Sequence, residues 1–311
     1  MKKTAEFVSR KHPDKICDFI ADSILDAYLG VDKGSRCAIE VMGGHNLVTI
    51  NGEVTSKGKP DIEKLIKEIV GEDFKIISNI VLQSPQIAQG VDTGGAGDQG
   101  IMKGYATSET EEYLPLEYSL ARNLCQKVFE VYPYDGKTQV TIEDGKVKTV
   151  VVSFQNTRNE ELLEIVKGII KAEEYLINPS GEWDRGGFDA DTGLSGRKLI
   201  VDNYGPEITI GGGSFSGKDY TKVDRSGAYM ARKIAVDLLK KHNANKVETK
   251  LAYAIGKSEP VMAVALIDGK EIEITEYDLT PMGIYEYLKL DEVKFADTCT
   301  WGHFGRGFEW E

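Results

Sequence analysis

Apolar side chains recur at Ile16, Ile20, Ile24, Leu25, Tyr28 and Leu29, and this spacing predicts a helix over about 14–29 with one apolar face. The stretch RCAIEVMGGHNLVTINGEVT (36–55) then alternates apolar and polar around Gly43-Gly44-His45-Asn46, a hairpin signal. Helical spacing returns in KPDIEKLIKEIVG (59–71), and FKIISNIVLQS (74–84) reads as β. The same order follows twice more. LPLEYSLARNLCQKVFEVY (114–132) is a helix, TQVTIEDGKVKTVVVSFQNT (138–157) a hairpin turning at Asp144-Gly145, and NEELLEIVKGIIKA (159–172) a second helix. VDRSGAYMARKIAVDLLKK (223–241) is again a helix and KVETKLAYAIGKSEPVMAVALIDG (246–269) a hairpin, before a less regular tail containing TPMGIYEYLKL.

Three echoes of helix, hairpin and helix predict an α+β fold of three pseudo-threefold-related α/β repeats, each a mixed sheet covered by helices. The repeats fall mainly in 1–92, 93–180 and 181–311, and they interleave, with the first strand or two of a unit borrowed from earlier in the chain. Composition narrows the class. The chain has 311 residues, 41% hydrophobic and 28% charged, which is globular. No run approaches the ~18 apolar residues of a membrane span, and MKKTAEF lacks an apolar signal core. Cys17, Cys37, Cys125 and Cys299 are scattered without a CxxC pair, so neither zinc ribbon nor disulfide framework is indicated, and the cytoplasm is the expected compartment. A net charge of −12 argues against a nucleic-acid partner, so any anionic ligand is held by local cations.

Those cations sit in the loops ahead of the three long helices. The first carries His12-Pro13-Asp14-Lys15, where Asp14 and Pro13 are equally explained as residues suited to a helix start. The second is QGVDTGGAGDQGIMKGYAT (89–107) and the third GGGSFSGKDYTKVDRSGAY (211–229). Clustered glycines let backbone N–H groups approach a phosphate, although each cluster alone is equally a tight turn. DADTGLSGRKLIVDNYG (189–205) places Asp191, Arg197 and Lys198 ahead of what reads as a buried strand. Asp14, Asp98, Asp191 and Asp224 supply hard oxygen atoms, and Lys15, Lys137, Lys198, Lys218 and Lys222 positive charge. This inventory suits a Mg²⁺-bound polyphosphate better than hydrolytic chemistry, since GxSxG and HExxH are both missing from the sequence.

HPDK (12–15), GAGDQG (95–100), DTGLSGRK (191–198), GGGSFSGKDYTKVDRS (211–226) and GHFGR (302–306), in this order over nearly the whole chain, resemble the S-adenosylmethionine synthetase family, also called methionine adenosyltransferases. The resemblance implies three α+β repeats and a homodimer, or a dimer of dimers, with active sites between subunits. It implies attack of methionine sulfur on ribose C5′ of ATP with loss of tripolyphosphate, then hydrolysis of tripolyphosphate to phosphate and diphosphate. By position, His12, Lys137, Lys218 and Lys222 correspond to catalytic residues. The ATP set is His12, Asp98, Asp135, Lys137, Trp183, Asp191, Arg197, Lys198, Ser214, Lys218 and Lys222. The methionine set is Glu53, Gln89, Asp191 and Lys222. Asp14 and Asp224 correspond to ligands of two Mg²⁺ ions and Glu40 to a K⁺ ligand. His45 and His242 match nothing and are expected at the surface; His303 is expected to be structural.

The chain departs from the family pattern in four places. Ser9-Arg10-Lys11 replaces the usual SEG before HPDK, Trp183 follows Glu182 where arginine is usual, and Ile210 replaces a frequent histidine. Only Thr93-Gly94 separates Asp92 from GAGD, so the resemblance implies a short member with a truncated active-site loop. Beside an active synthetase stand two other readings: a non-catalytic homologue, which loss of His12, Asp14 or Lys218 would signal, and a different Mg²⁺-dependent phosphotransferase or nucleotide-binding module.

Overall fold

The computed structural model describes residues 1–84, 90–91 and 93–311. The chain opens with β1 (Lys2–Val8), α1 (Pro13–Val31), β2 (Arg36–Gly44), β3 (Leu47–Thr55), α2 (Ile62–Val70) and β4 (Lys75–Leu82). It continues through β5 (Gly100–Thr107), α3 (Leu116–Val131), β6 (Gly136–Glu143), β7 (Lys146–Phe154), α4 (Asn159–Ile169), β8 (Glu174–Ile177) and β9 (Gly193–Leu194). The last part holds α5 (Leu199–Asp202), α6 (Val223–His242), β10 (Lys246–Tyr253), β11 (Met262–Ile267), β12 (Lys270–Glu273), α7 (Pro281–Tyr287) and α8 (Phe295–Thr298).

Among the described residues the strands make three four-stranded sheets with orders β4-β3-β2-β9, β8-β7-β6-β1 and β12-β11-β10-β5. Each is built on one of the hairpins expected from alternation. The first turns at His45-Asn46 and the second at Asp144-Gly145, all four residues with positive φ, the two-residue geometry that matches strand twist. In each sheet one outer strand arrives from elsewhere in the chain: β1 pairs with β6, β5 with β10, and β9 with β2. β1 and β5 come from earlier in the chain, as the borrowing expectation has it, whereas β9 comes from later, and these exchanges interleave the repeats.

Alternation also decides which face is covered. On β2, Cys37, Ile39 and Val41 are buried under α1, whereas Glu40 and Met42 point to the other, exposed face. Val48, Ile50 and Val54 of β3 join the buried layer. Two elements differ from expectation. Residues 199–202, read as a buried strand, form the single helical turn α5, with Asp202 N–H donating to Lys198 O at 2.8 Å; Asp202 is drawn inward to pair with buried Lys15. In the third repeat β12 follows β11 directly through Asp268-Gly269, and the expected second helix, α7, comes only afterwards. Among the described residues no helix is long and apolar enough to cross a membrane. The four cysteines are buried and free. His45 and His242 are exposed, and His303 is fully buried with its Nδ1 2.7 Å from Tyr229 Oη, a structural setting.

Candidate active site

The site starts at the mouth of α1. His12 is the N-cap, and its Nδ1 accepts the Asp14 N–H at 3.1 Å, while Pro13 opens the first turn. An accepting Nδ1 carries no proton, so the neutral ring bears its hydrogen on Nε2. Burial, together with Lys198 and Lys137, lowers its pKa to about 3 and keeps it neutral. The tetrad thus caps the helix and leaves the ring N–H of His12 on Nε2.

Asp14 is fully buried. Its Oδ1 accepts the Leu194 N–H at 2.9 Å and lies 3.3 Å from Arg197 Nε, and its Oδ2 lies 2.5 Å from Lys198 Nζ. Burial opposes the charge, but the Lys198 bond and the Leu194 N–H outweigh it and hold the carboxyl below its usual range. Gly193 makes this approach possible, because a Cβ there would lie 2.1 Å from Pro13 O. On the neighbouring strand Glu40 Oε2 accepts the Ser195 hydroxyl at 2.6 Å, and Ser195 Oγ accepts the Val41 N–H at 3.0 Å.

The second cation-bearing turn lies along the same edge of β2. Gly217 O accepts the Ile39 N–H at 3.1 Å, and Lys218 bridges to Ala38. Gly217 has φ +81, and a Cβ would meet Ile39 O at 2.2 Å, so only glycine fits. Lys218 Nζ is 2.9 Å from Asp224 Oδ2, while Asp224 Oδ1 accepts the Gly213 N–H at 2.6 Å. The two turns touch where Gly196 packs on Ser214. Each therefore presents a lysine on a carboxylate whose other oxygen is fixed by a backbone N–H.

Asp135 Oδ2 accepts the Gly187 N–H at 3.0 Å, and burial pushes its pKa up. Lys137 is exposed at the start of β6, and Asp191 is exposed beside His12 and Asp135. Trp183 donates its indole N–H to Ser153 Oγ at 3.1 Å. Glu53 is exposed opposite Ala38, next to the Lys218 bridge. Lys222 Nζ turns onto Asp219 at 2.5 Å. Exposed Asp98 belongs to a loop anchored by Gly97 N–H donating to Thr221 O at 3.2 Å. Gln89 and Asp92 lie outside the described residues. Reasoning from motifs missed Ser195, Asp18, Asp22 and Arg225. The two aspartates carry a signal after all: Asp14, Asp18, Asp22 and Asp26 are spaced by four on one helix, a pattern that an apolar-face reading passes over.

Comparison with known proteins settles the family. Three family models match in order: the N-terminal domain of S-adenosylmethionine synthetase over residues 1–83, the central domain over 93–183 and the C-terminal domain over 185–311. The chain belongs to the S-adenosylmethionine synthetase family. It is 42% identical to the S-adenosylmethionine synthase of Mycoplasmopsis pulmonis, covering 97% of this chain and 93% of that one. The synthase of Thermus thermophilus is 41% identical, with 99% and 95% covered. A solved structure of an unusual S-adenosylmethionine synthetase from Campylobacter jejuni superposes with a TM-score of 0.89 at 33% identity, covering 99% of this chain and 96% of that one.

Among the described residues no three acidic, histidine or cysteine side chains converge on one metal position. Mg²⁺ does not need such a cage, since it is usually held by one or two carboxylates together with substrate phosphates and water. Ionised Asp14, and Asp224 with one oxygen already fixed, are donors of that kind. The lysines beside them can turn to an arriving polyphosphate.

Proposed function

We propose that this methionine adenosyltransferase makes S-adenosylmethionine from ATP and L-methionine at the β2 edge, releasing phosphate and diphosphate. The observation that carries the reading is the pair of adjacent turns with matched Lys198–Asp14 and Lys218–Asp224 contacts. In the first step methionine sulfur forms the bond to ribose C5′ and the C5′–O bond breaks, the electron pair leaving with tripolyphosphate. The sulfur is nucleophilic without deprotonation, so the protein supplies positioning and leaving-group stabilisation rather than a base. His12 Nε2–H donates toward the leaving chain, while Lys198, Lys218, Arg197 and Lys137 take its charge; the same cations then hold tripolyphosphate for attack by water. Lys222 serves the phosphates and the methionine carboxylate. Asp14 and Asp224 each hold one Mg²⁺, which supplies charge neutralisation on the phosphate oxygens. Glu40, one oxygen fixed by Ser195, holds K⁺. Glu53, Gln89 and Asp191 face methionine, and Trp183, Asp98, Asp135 and Ser214 the nucleoside and its phosphates.

The assembly we infer is a cytoplasmic homodimer, with a dimer of dimers as the larger form. Met42, Ile77 and Leu194 lie in one row across the outer face of the first sheet, and Val81 lies on the same face, four residues along β4 in the row of Glu53. All four are exposed apolar residues on the face that carries Glu40 and Glu53. Light scattering is expected to give twice the 34.3 kDa chain mass or a multiple of that dimer. Incubation with ATP, methionine, Mg²⁺ and K⁺ is expected to yield the sulfonium product with equal phosphate and diphosphate. ADP formation without a sulfonium would instead support a phosphotransferase, and nucleotide binding without turnover a non-catalytic homologue.

A further inference from the structure

Four aspartates climb α1 at positions 14, 18, 22 and 26, and each accepts backbone N–H from chain distant in sequence, the first two from one segment, 194–196. Positions four apart drift by about 40° per step around a helix, so the acceptors wind from the site mouth toward the far end. Asp14 takes Leu194 N–H, Asp18 Oδ1 takes Gly196 N–H at 2.8 Å, and Asp22 Oδ1 takes Gly217 N–H at 2.8 Å. Asp26 takes Phe295 and Ala296 N–H, both at 2.9 Å, well past the site. Asp18 and Asp22 are almost completely buried and touch no position assigned to substrate.

Buried carboxylates need compensation, and here that compensation reinforces the same two turns. Lys15 Nζ binds Asp18 Oδ2 at 2.9 Å and also pairs with Asp202, the end of the turn that follows Lys198. Burial works against the Lys15 charge, but Asp18 and Asp202 outweigh it and hold the ammonium protonated. Arg225 grips Asp22 with Nη1 at 2.6 Å and Nη2 at 3.0 Å, and its Nη1 also donates to Lys218 O at 3.1 Å. Arg225 Nε donates to Tyr229 Oη at 3.0 Å, which leaves the tyrosine hydroxyl to donate to His303. The residue before Lys218 and the carbonyl of Lys218 are thus both fixed from below.

We propose that Asp18 and Asp22 are positioning residues for adenosyl transfer: acting through Gly196 and Gly217 N–H, they set the two cation-bearing turns, and so the spacing of Lys198 from Lys218, before polyphosphate arrives. This rests on the proposed polyphosphate role of those lysines. A displacement of about 1 Å at such cations costs far more than any single bond, because the phosphate oxygens are met by several donors at once.

The test is calorimetric binding of inorganic tripolyphosphate with Mg²⁺ to the full-length protein. Asp18→Ala and Asp22→Ala are expected to weaken binding about tenfold or more. Asp18→Asn keeps the acceptor for Gly196 and loses the charge, and binding should stay within about threefold of wild type. Asp18→Glu keeps the charge and displaces the acceptor by about one methylene, and should bind at least about fivefold more weakly than Asp18→Asn. A role limited to balancing Lys15 reverses that order, so Glu binding as well as or better than Asn would overturn the inference, even where the alanine variants fail to fold. Asp26→Ala should lower the melting temperature and leave tripolyphosphate binding unchanged. Folded wild-type protein that binds no tripolyphosphate would overturn the functional reading itself, whereas tight wild-type binding matched by folded Asp18→Ala and Asp22→Ala would overturn the positioning role alone.

Discussion

In the second and third sheets, the strand that leads each hairpin has its open side closed by a full-length partner. β1 runs seven residues along β6, and β5 runs eight along β10. On the first sheet the equivalent side of β2 receives, among the described residues, a strand of two residues, β9, paired with Met42 and Gly43. The rest of that edge meets side chains and turns instead: Ser195 on Glu40, Gly217 on Ile39, Lys218 beside Ala38. The fold repeats three times, and the candidate chemistry sits where the repeat is left incomplete. A complete strand spends its polar groups on the ladder, whereas an incomplete one leaves room for cations and carboxylates to face a ligand.

The largest contrast expected is between the open edge and a closed one. Lys218→Ala and Asp14→Asn should each cut kcat by about a hundredfold or more with little change in melting temperature, the size associated with losing a preorganised charge donor. Phe7→Ala on β1 removes a fully buried ring packed on Tyr118 and Trp301. It should destabilise the fold by about 3–5 kcal/mol while leaving kcat per folded molecule unchanged. Near-normal turnover in Lys218→Ala would break the comparison. A smaller effect belongs to the edge itself. Ser195→Ala releases Glu40 and leaves the Val41 N–H without its acceptor, at a cost of about 1–3 kcal/mol, and should raise the K⁺ concentration needed for half-maximal rate. An unchanged K⁺ response would separate Glu40 from the ion.

The subtlest prediction concerns protons. In the fold His12 titrates at about 3, against the ordinary 6.5, so between these values the unfolded chain holds the extra proton. Stability tied to His12 is complete above pH 6.5 and is lost as pH falls toward 3. Asp26 runs the other way: burial pushes its carboxyl up to about 6, so the folded chain holds the extra proton between 3.8 and 6. Denaturant melts of His12→Asn from pH 7 to 4 should therefore show a shallower loss of stability than wild type. An equal slope would show that the His12 proton plays no part.

Much of this architecture was legible in the residues. Alternation located all three hairpins, and helical spacing located α1, α3 and α6, because those segments bury one clean face. The borrowed strands were less visible. MKKTAEF and GIMKGYAT are short and mixed in polarity, and their β form comes from partners far outside any local window; Val8 meets Lys137, for instance, and Gly100 meets Tyr253. Residues 199–202 look like a strand because Leu199, Ile200 and Val201 are apolar and the last two β-branched, but Asp202 is pulled to Lys15 and closes a helical turn. In the candidate site, motifs yielded the groups at the mouth of α1 and on the two turns, such as buried His12 and half-buried Lys198 and Lys218. They did not yield the buried layer behind them, since Asp18 and Asp22 are defined by contacts with glycine N–H groups distant in sequence, and Arg225 by its pairing with Asp22.

The most direct measurement is a crystal structure of the protein with methionine and a non-hydrolysable imidotriphosphate analogue of ATP in the presence of Mg²⁺ and K⁺. The account predicts the phosphate chain over the open edge of β2, with Lys198 and Lys218 swung from Asp14 and Asp224 onto phosphate oxygens and His12 Nε2 within hydrogen-bond reach of the chain. Phosphates seated elsewhere, with both lysines still on their carboxylates, would contradict it.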